Sequence, residues 1–92
     1  MEAKIILTIK KNQKDRIKKH VFAKINPITR EEFAAAGQRD VKPSFMAEVW
    51  GFEFEDHTGI IYEGKEYSIY RTYGPKQSGK IELYASERAG RQ

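Results

Sequence analysis

Nucleophile-and-base chemistry has little to draw on in this chain, which holds two histidines, His20 and His57, and no cysteine. Asp56-His57 matches a dyad only by adjacency, and neighbouring residues on a strand point to opposite faces. Ser44, Ser68, Ser78 and Ser86 lack the context of an activated nucleophile. Without cysteine or a His-x-x-x-His spacing, neither histidine anchors a metal-ligand set. The run Gly74 to Lys80, GPKQSGK, ends in Gly-Lys as a phosphate loop does. It lacks the Ser or Thr after the lysine, and Ile81 starts a strand where such a loop needs a helix. The combination of acid, base and nucleophile is missing. No enzyme is expected, and no cofactor or metal.

Binding chemistry is better represented. Residues 1–20 carry Lys4, Lys10, Lys11, Lys14, Arg16, Lys18 and Lys19 against Glu2 and Asp15, a net +5 in a chain whose total is +4. The positive charge therefore belongs to one segment. Such a cluster reads as contacts to phosphate or to an acidic partner, or as a solvated loop that lysine keeps soluble. Aromatic residues form the second group: Tyr62, Tyr67, Tyr70, Tyr73 and Tyr84, with Phe45, Trp50, Phe52 and Phe54. Rings interleaved with Lys and Arg on a small barrel can stack single-stranded nucleic acid. The preferred reading is that most of these rings are the core, because few aliphatics remain to fill it. Arg71, on the face of Tyr67, Ile69 and Tyr73, is the exception. It stacks on a ring or reaches a carboxylate such as Glu66 or Glu82 across a strand pair.

The elements that must hold these residues are short. Lys4 to Lys10 alternates Ile5, Leu7 and Ile9 on one face, a first strand. Residues 10–20 contain Ile17 as their one aliphatic and read as an exposed basic loop. Val21 to Ile25 is a second strand, ended by Asn26-Pro27. Thr29 and Glu32 fit a capping box for a helix from Thr29 to Ala36, with Gly37 as its stop. A polar loop then runs to Pro43. Ser44 to Phe54 is a strand in which Gly51 marks a bulge or a bend. After the turn cluster Glu55 to Gly59 comes a hairpin, Ile60 to Tyr73, turning at Gly64-Lys65. Ile81 to Ala85 is the last strand, and residues 87–92 are a polar, frayed tail.

One domain spans residues 1–92, near the lower size limit for an unaided core. The expected fold is mainly β: a small SH3-like or OB-like β-barrel of five to six strands with one short inserted helix, the insertion covering residues 27–43. Apolar residues make up 39% of the chain, so the core is thin and oligomerisation is a natural remedy. No apolar run approaches the ~20 residues of a membrane span, and the cluster IILTI has no small-residue cleavage site after it, so neither a membrane partner nor a signal peptide is expected.

Two blocks carry a resemblance to a known family. VFAKINPITREEFAAAG, Val21 to Gly37, and IYEGKEYSIYRTY, Ile61 to Tyr73, followed by IELYASERAG, resemble the small head-closure (head–tail joining or adaptor) proteins of long-tailed bacteriophages. Between them, VKPSFMAEVWGFEF is similar to that family's Lys-Pro-x-Phe segment and the strand after it. The match runs from Val21 to Gly90, and residues 1–20 fit least. The resemblance implies a structural connector in the virion, made in the host cytoplasm. Its copies form a dodecameric ring below the portal and adaptor, closing the DNA-filled head and docking the tail terminator or tail tube. On that reading Lys10, Lys11, Lys14, Arg16, Lys18 and Lys19 face packaged double-stranded DNA in the channel. Thr29, Glu32, Phe33, Arg39, Lys42 and Pro43 form the docking segment. The alternative from the residues alone is a nucleic-acid-binding module using the basic loop and the tyrosines.

Overall fold

Ile5 and Leu7, Val21 and Ala23, and Phe45, Ala47 and Val49 recur at every second position on three strands, and all are buried. Strands with one apolar face must enclose it, and six of them do so here as a closed antiparallel barrel. The computed structural model describes residues 1–10 and 15–87. Its elements are β1 (Glu2–Lys10), β2 (Arg16–Asn26), α1 (Arg30–Gly37), β3 (Pro43–Trp50), a 3-10 turn (Gly51–Glu53), β4 (Gly59–Tyr62), β5 (Lys65–Tyr73) and β6 (Lys80–Glu87). Around the barrel the order is β1-β2-β3-β6-β5-β4. Two three-stranded meanders thus face each other, and residues 51–58 cross one barrel end to join them.

The seams differ in length. β3 and β6 pair from Pro43↔Ser86 to Trp50↔Lys80. β1 and β4 meet only at Ile6, Leu7 and Thr8, and β2 and β3 only at Lys24, Ile25 and Asn26. Inside, Ile5, Leu7, Val49, Ile60, Ile81 and Leu83 meet the small residues Ala23, Ala47 and Ala85. Phe45 is the one large ring fully inside the cluster, and Tyr62 and Tyr67 lie edge-on to it at 5.3 and 4.8 Å between centroids.

Several sequence expectations need correction. Residues 10–20 are not a loop for most of their length: β2 begins at Arg16 and pairs continuously with β1 down to Lys10↔Arg16. The cross-strand partner, not any pattern within residues 16–20, imposes the strand, because pairing with β1 satisfies backbone groups that the side chains cannot. Lys11 and Lys14, and residues 88–92 of the expected tail, lie outside the described residues. Glu87 itself belongs to β6. The hairpin turn is Glu63-Gly64, one residue earlier than expected, with φ of 53° and 79°. Two successive positive φ values are the signature of a type I′ turn, whose twist matches the flanking strands.

The third strand stops at Trp50, and Gly51 starts a 3-10 turn. The Gly51 amide donates to the Gly79 carbonyl at 2.7 Å, and a Cβ on Gly51 would lie 3.0 Å from that oxygen. Any larger residue would force these two backbones apart by a few tenths of an ångström. In α1, Thr29 caps as expected: its Oγ1 accepts from the Glu32 amide at 3.1 Å. Gly37 is the last helical residue, not a stop beyond it, and the positive φ of that loop falls on Asp40.

Leu83 is fully buried at the β3–β6 seam. Leu83→Ala is expected to cost about 2–5 kcal/mol, a large share of the roughly 5–15 kcal/mol typical of a domain. Urea denaturation should show a clearly lowered midpoint, and an unchanged midpoint would contradict this core.

Candidate functional site

A β-bulge in β5 assembles a polar cluster on the outer wall. Ile69 pairs with Ala85, but Arg71 pairs with Tyr84, so Tyr70 is the extra residue. Without the bulge Arg71 would follow Tyr67 and Ile69 into the barrel. With it, Tyr70 and Arg71 both turn outward, beneath α1. Glu32 of α1 accepts from the Tyr70 hydroxyl at 2.6 Å and from Arg71 Nε at 3.1 Å, with Arg71 Nη2 completing a two-pronged pair. The Arg71 guanidinium lies 3.9 Å from the centre of the Tyr84 ring. Sequence reasoning identified both kinds of partner for Arg71 but named Glu66 or Glu82 as the carboxylate, and Glu32 takes that place. Nor does Glu32 close the expected capping box, since its carboxylate is committed to Arg71.

The cluster continues across β6. Tyr84 donates its hydroxyl to Glu82 at 2.7 Å, and Lys76 bridges Glu82, at 3.0 Å, and Glu48. The hydrogen bond from Arg71 holds the Glu32 carboxyl below the usual range, against the opposing effect of burial. Burial alone would raise Glu82, yet its bonds from Tyr84 and Lys76 keep it low. Burial and the Glu32 contact push Tyr70 up, and the two carboxylates push Lys76 up. The hydrogen bonds from Tyr70 and Arg71 to Glu32 tie α1 to the barrel wall, so the arrangement works as a clamp on the helix.

The expected site residues separate in space. Thr29 caps α1, Glu32 is in the clamp, and Phe33, 55% exposed, projects from the same helix. Arg39 lines a shallow groove with Glu32, Ala35 and Arg71, while Lys42 is exposed and Pro43 opens β3. Of the basic residues, Lys10, Arg16 and Lys18 are exposed along the β1–β2 hairpin. Lys19 is half-buried and reaches Glu55 at 3.5 Å. Arg16 lies 3.5 Å from Glu66.

The surface that sequence reasoning missed is a row across four strands. The pairs Lys4↔Phe22 and Trp50↔Lys80 put these four residues on the outer wall of β1, β2, β3 and β6. Phe22 and Trp50 are 67% and 44% exposed, and Phe52, 77% exposed, stacks on Trp50 at 6.1 Å. Lys80 and Lys4 sit over the Trp50 and Phe22 rings, at 4.8 and 5.9 Å. The expectation that most of the named rings form the core thus fails for Trp50, Phe52 and Tyr73. The signal was available in phase: Phe45, Ala47 and Val49 alternate inward, which leaves Trp50 out of step. Phe22 likewise falls among His20 and Lys24.

His57 is the other buried polar group of note, 4% exposed at the barrel end. Its Nδ1 accepts from the Glu55 amide at 3.1 Å, and its ring lies 5.9 Å from Phe54. Burial, then the positive charge of Lys19, lowers its pKa despite Glu55 and Asp56 nearby. Among the described residues, no group of three His, Asp or Glu side chains could hold a metal ion. No protein-family model matches the sequence, and no curated protein matches it.

Two predictions follow from this geometry. Glu32→Gln should destabilise the fold by about 1–3 kcal/mol, between the values for exposed and buried ion pairs. Hydrogen exchange should quicken in α1 above all, and unchanged helix amides would contradict the clamp. For His57, the unfolded chain binds the proton more tightly than the folded one, so its contribution is complete above pH 6.5 and is lost as pH falls through the lowered value. His57→Asn keeps an acceptor and removes the titration. Its urea midpoint should vary less than that of the parent between pH 6.5 and the carboxylate range near 4.5.

Proposed function

We propose that the chain is a structural connector subunit of a tailed bacteriophage, one of a dodecameric ring below the portal and adaptor. The ring closes the DNA-filled head and offers the tail its docking surface. The observation that carries this reading is the placement of large apolar side chains outside a small closed barrel. Phe22, Trp50 and Phe52 lie on one wall, Phe33 on α1 and Tyr73 at the end of β5. Exposed apolar surface of this kind favours association, and contacts between unlike faces of identical subunits close into a ring when the rotation allows. The resemblance of residues 21–90 to the head-closure family supports the same reading.

Within it, Phe33 and the rest of residues 27–43 serve docking, held against the barrel by the Glu32–Arg71 clamp. Lys10, Arg16 and Lys18 on the β1–β2 hairpin serve the channel, where cations meet the phosphates of packaged DNA. A second reading, a single-strand-binding module, is favoured by the lysines over the Trp50 and Phe22 rings. Oligonucleotide binding that weakens steeply with salt would support that reading.

Particles lacking the protein should fill with DNA and then leak it, or fail to take tails. Complementation with a Trp50→Ser, Phe52→Ser double variant should reproduce the defect while the purified variant keeps its urea midpoint. Normal infectious particles from the deletion would overturn the proposal.

A further inference from the structure

β2 carries a half-used ladder. It pairs with β1 from Arg16 to Lys24, but with β3 only at Lys24, Ile25 and Asn26. Among the described residues, residues 16–23 therefore have no strand on the side away from β1. In an antiparallel strand, alternate residues turn their N–H and C=O away from a given neighbour. Along this stretch those groups form an open edge, the template onto which another strand can add.

Where β2 and β3 part, they leave a notch of about 170 Å³. Buried Ala23 and Val49 and the exposed rings of Phe22 and Trp50 line it, together with the charged side chains of Lys24, Lys80, Glu2, Glu48 and Glu53. A volume of ~150 Å³ holds a benzene-sized group, so the notch has room for one aromatic or branched side chain. Its apolar body would meet Phe22 and Trp50, and, facing Glu2, Glu48 and Glu53, it is not itself acidic. Edge and notch are continuous, because Phe22 and Ala23 belong to both.

Charge selects the occupant. Arg16, Lys18, Lys19 and Lys24 lie along the edge strand. Arg16 and Lys19 already face Glu66 and Glu55, so Lys18 and Lys24 are the cations that would meet an added strand. Two copies of β2 placed edge to edge would set these cations against one another, which opposes pairing. A nucleic acid would meet the charges but has no backbone N–H and C=O to continue the ladder. We propose that residues 16–23 of β2 are a strand-addition site for an extended acidic segment of a partner protein, one large apolar side chain of which enters the Phe22–Trp50 notch. The ladder supplies affinity, and the notch and the cations supply selectivity. This site goes beyond the connector reading and stands or fails without it.

The test uses the full chain and short synthetic peptides that alternate Glu with Val, carrying Phe, Leu or Val at the centre. Trp50 is the sole tryptophan, so its emission reports occupancy of the notch. At least one peptide should shift that emission and slow amide exchange at alternate positions of residues 16–23. Methylating the peptide's backbone nitrogens on the pairing edge should weaken binding by about tenfold or more, as loss of several hydrogen bonds requires. Phe22→Ser, on an exposed ring, should also weaken it without changing the urea midpoint. The proposal is overturned if none of the peptides slows those amides, or if the methylated peptide binds as well as its parent. Tighter binding of a short oligothymidylate to the same face would likewise overturn it.

Discussion

A six-stranded barrel has a narrow bore, and that constraint shapes the rest of this molecule. About eight strands give an interior that side chains just fill, so six leave less room. Ala23, Ala47 and Ala85 meet it from inside, and Ile, Leu and Val supply most of the remaining bulk. Phe45 is the largest side chain the interior accommodates, and it is flanked by two tyrosines at the margin. Phe54, Tyr62 and Tyr67 pack against the margin of the core, and Phe22, Phe33, Trp50, Phe52 and Tyr73 are left exposed. A chain with five phenylalanines, five tyrosines and a tryptophan therefore displays much of its aromatic surface to whatever surrounds it. Exposure of Phe22, Trp50 and Phe52 follows from the same geometry that makes the core small.

A second consequence concerns the helix. α1 buries one residue, Ala36, too little apolar area to dock it by packing alone. The Glu32 carboxylate replaces that missing area, reaching through Tyr70 and Arg71 to a β5 surface that exists only because the bulge turns Arg71 out. The ring of Tyr84 beneath the guanidinium carries the connection on to Glu82, Lys76 and Glu48. Helix, bulge and the loop of residues 74–79 are thus one polar unit laid over the outer wall. It positions Phe33 at the surface with a definite orientation.

Much of the architecture was legible in the sequence. Ile5, Leu7 and Ile9, Val21, Ala23 and Ile25, and the hairpin after Gly59 gave the strands their phase, and Thr29 marked the start of the helix. What escaped was decided by partners distant in the chain. Residues 16–20 have no strand pattern of their own and become one by pairing with β1. Arg71 stood out as a cation on an aromatic face, which correctly pointed to both a ring and a carboxylate. Its actual carboxylate lies 39 residues away and is reached only through the bulge, a feature that period-two alternation conceals. Glu66 and Glu82, the nearer choices, meet Arg16 and the Lys76–Tyr84 pair instead. The outer ring wall was visible in the phase of Trp50, but the expectation of an aromatic core masked it.

On the proposed connector reading, the rings excluded from the bore are there to be covered by other subunits or partners, not to hold the fold. Hydroxyl-radical footprinting of Phe22, Trp50 and Phe52, in the isolated protein and in mature particles, tests it most directly. The account predicts strong oxidation of all three rings in the isolated chain and strong protection in the particle. Equal oxidation in both states would contradict it.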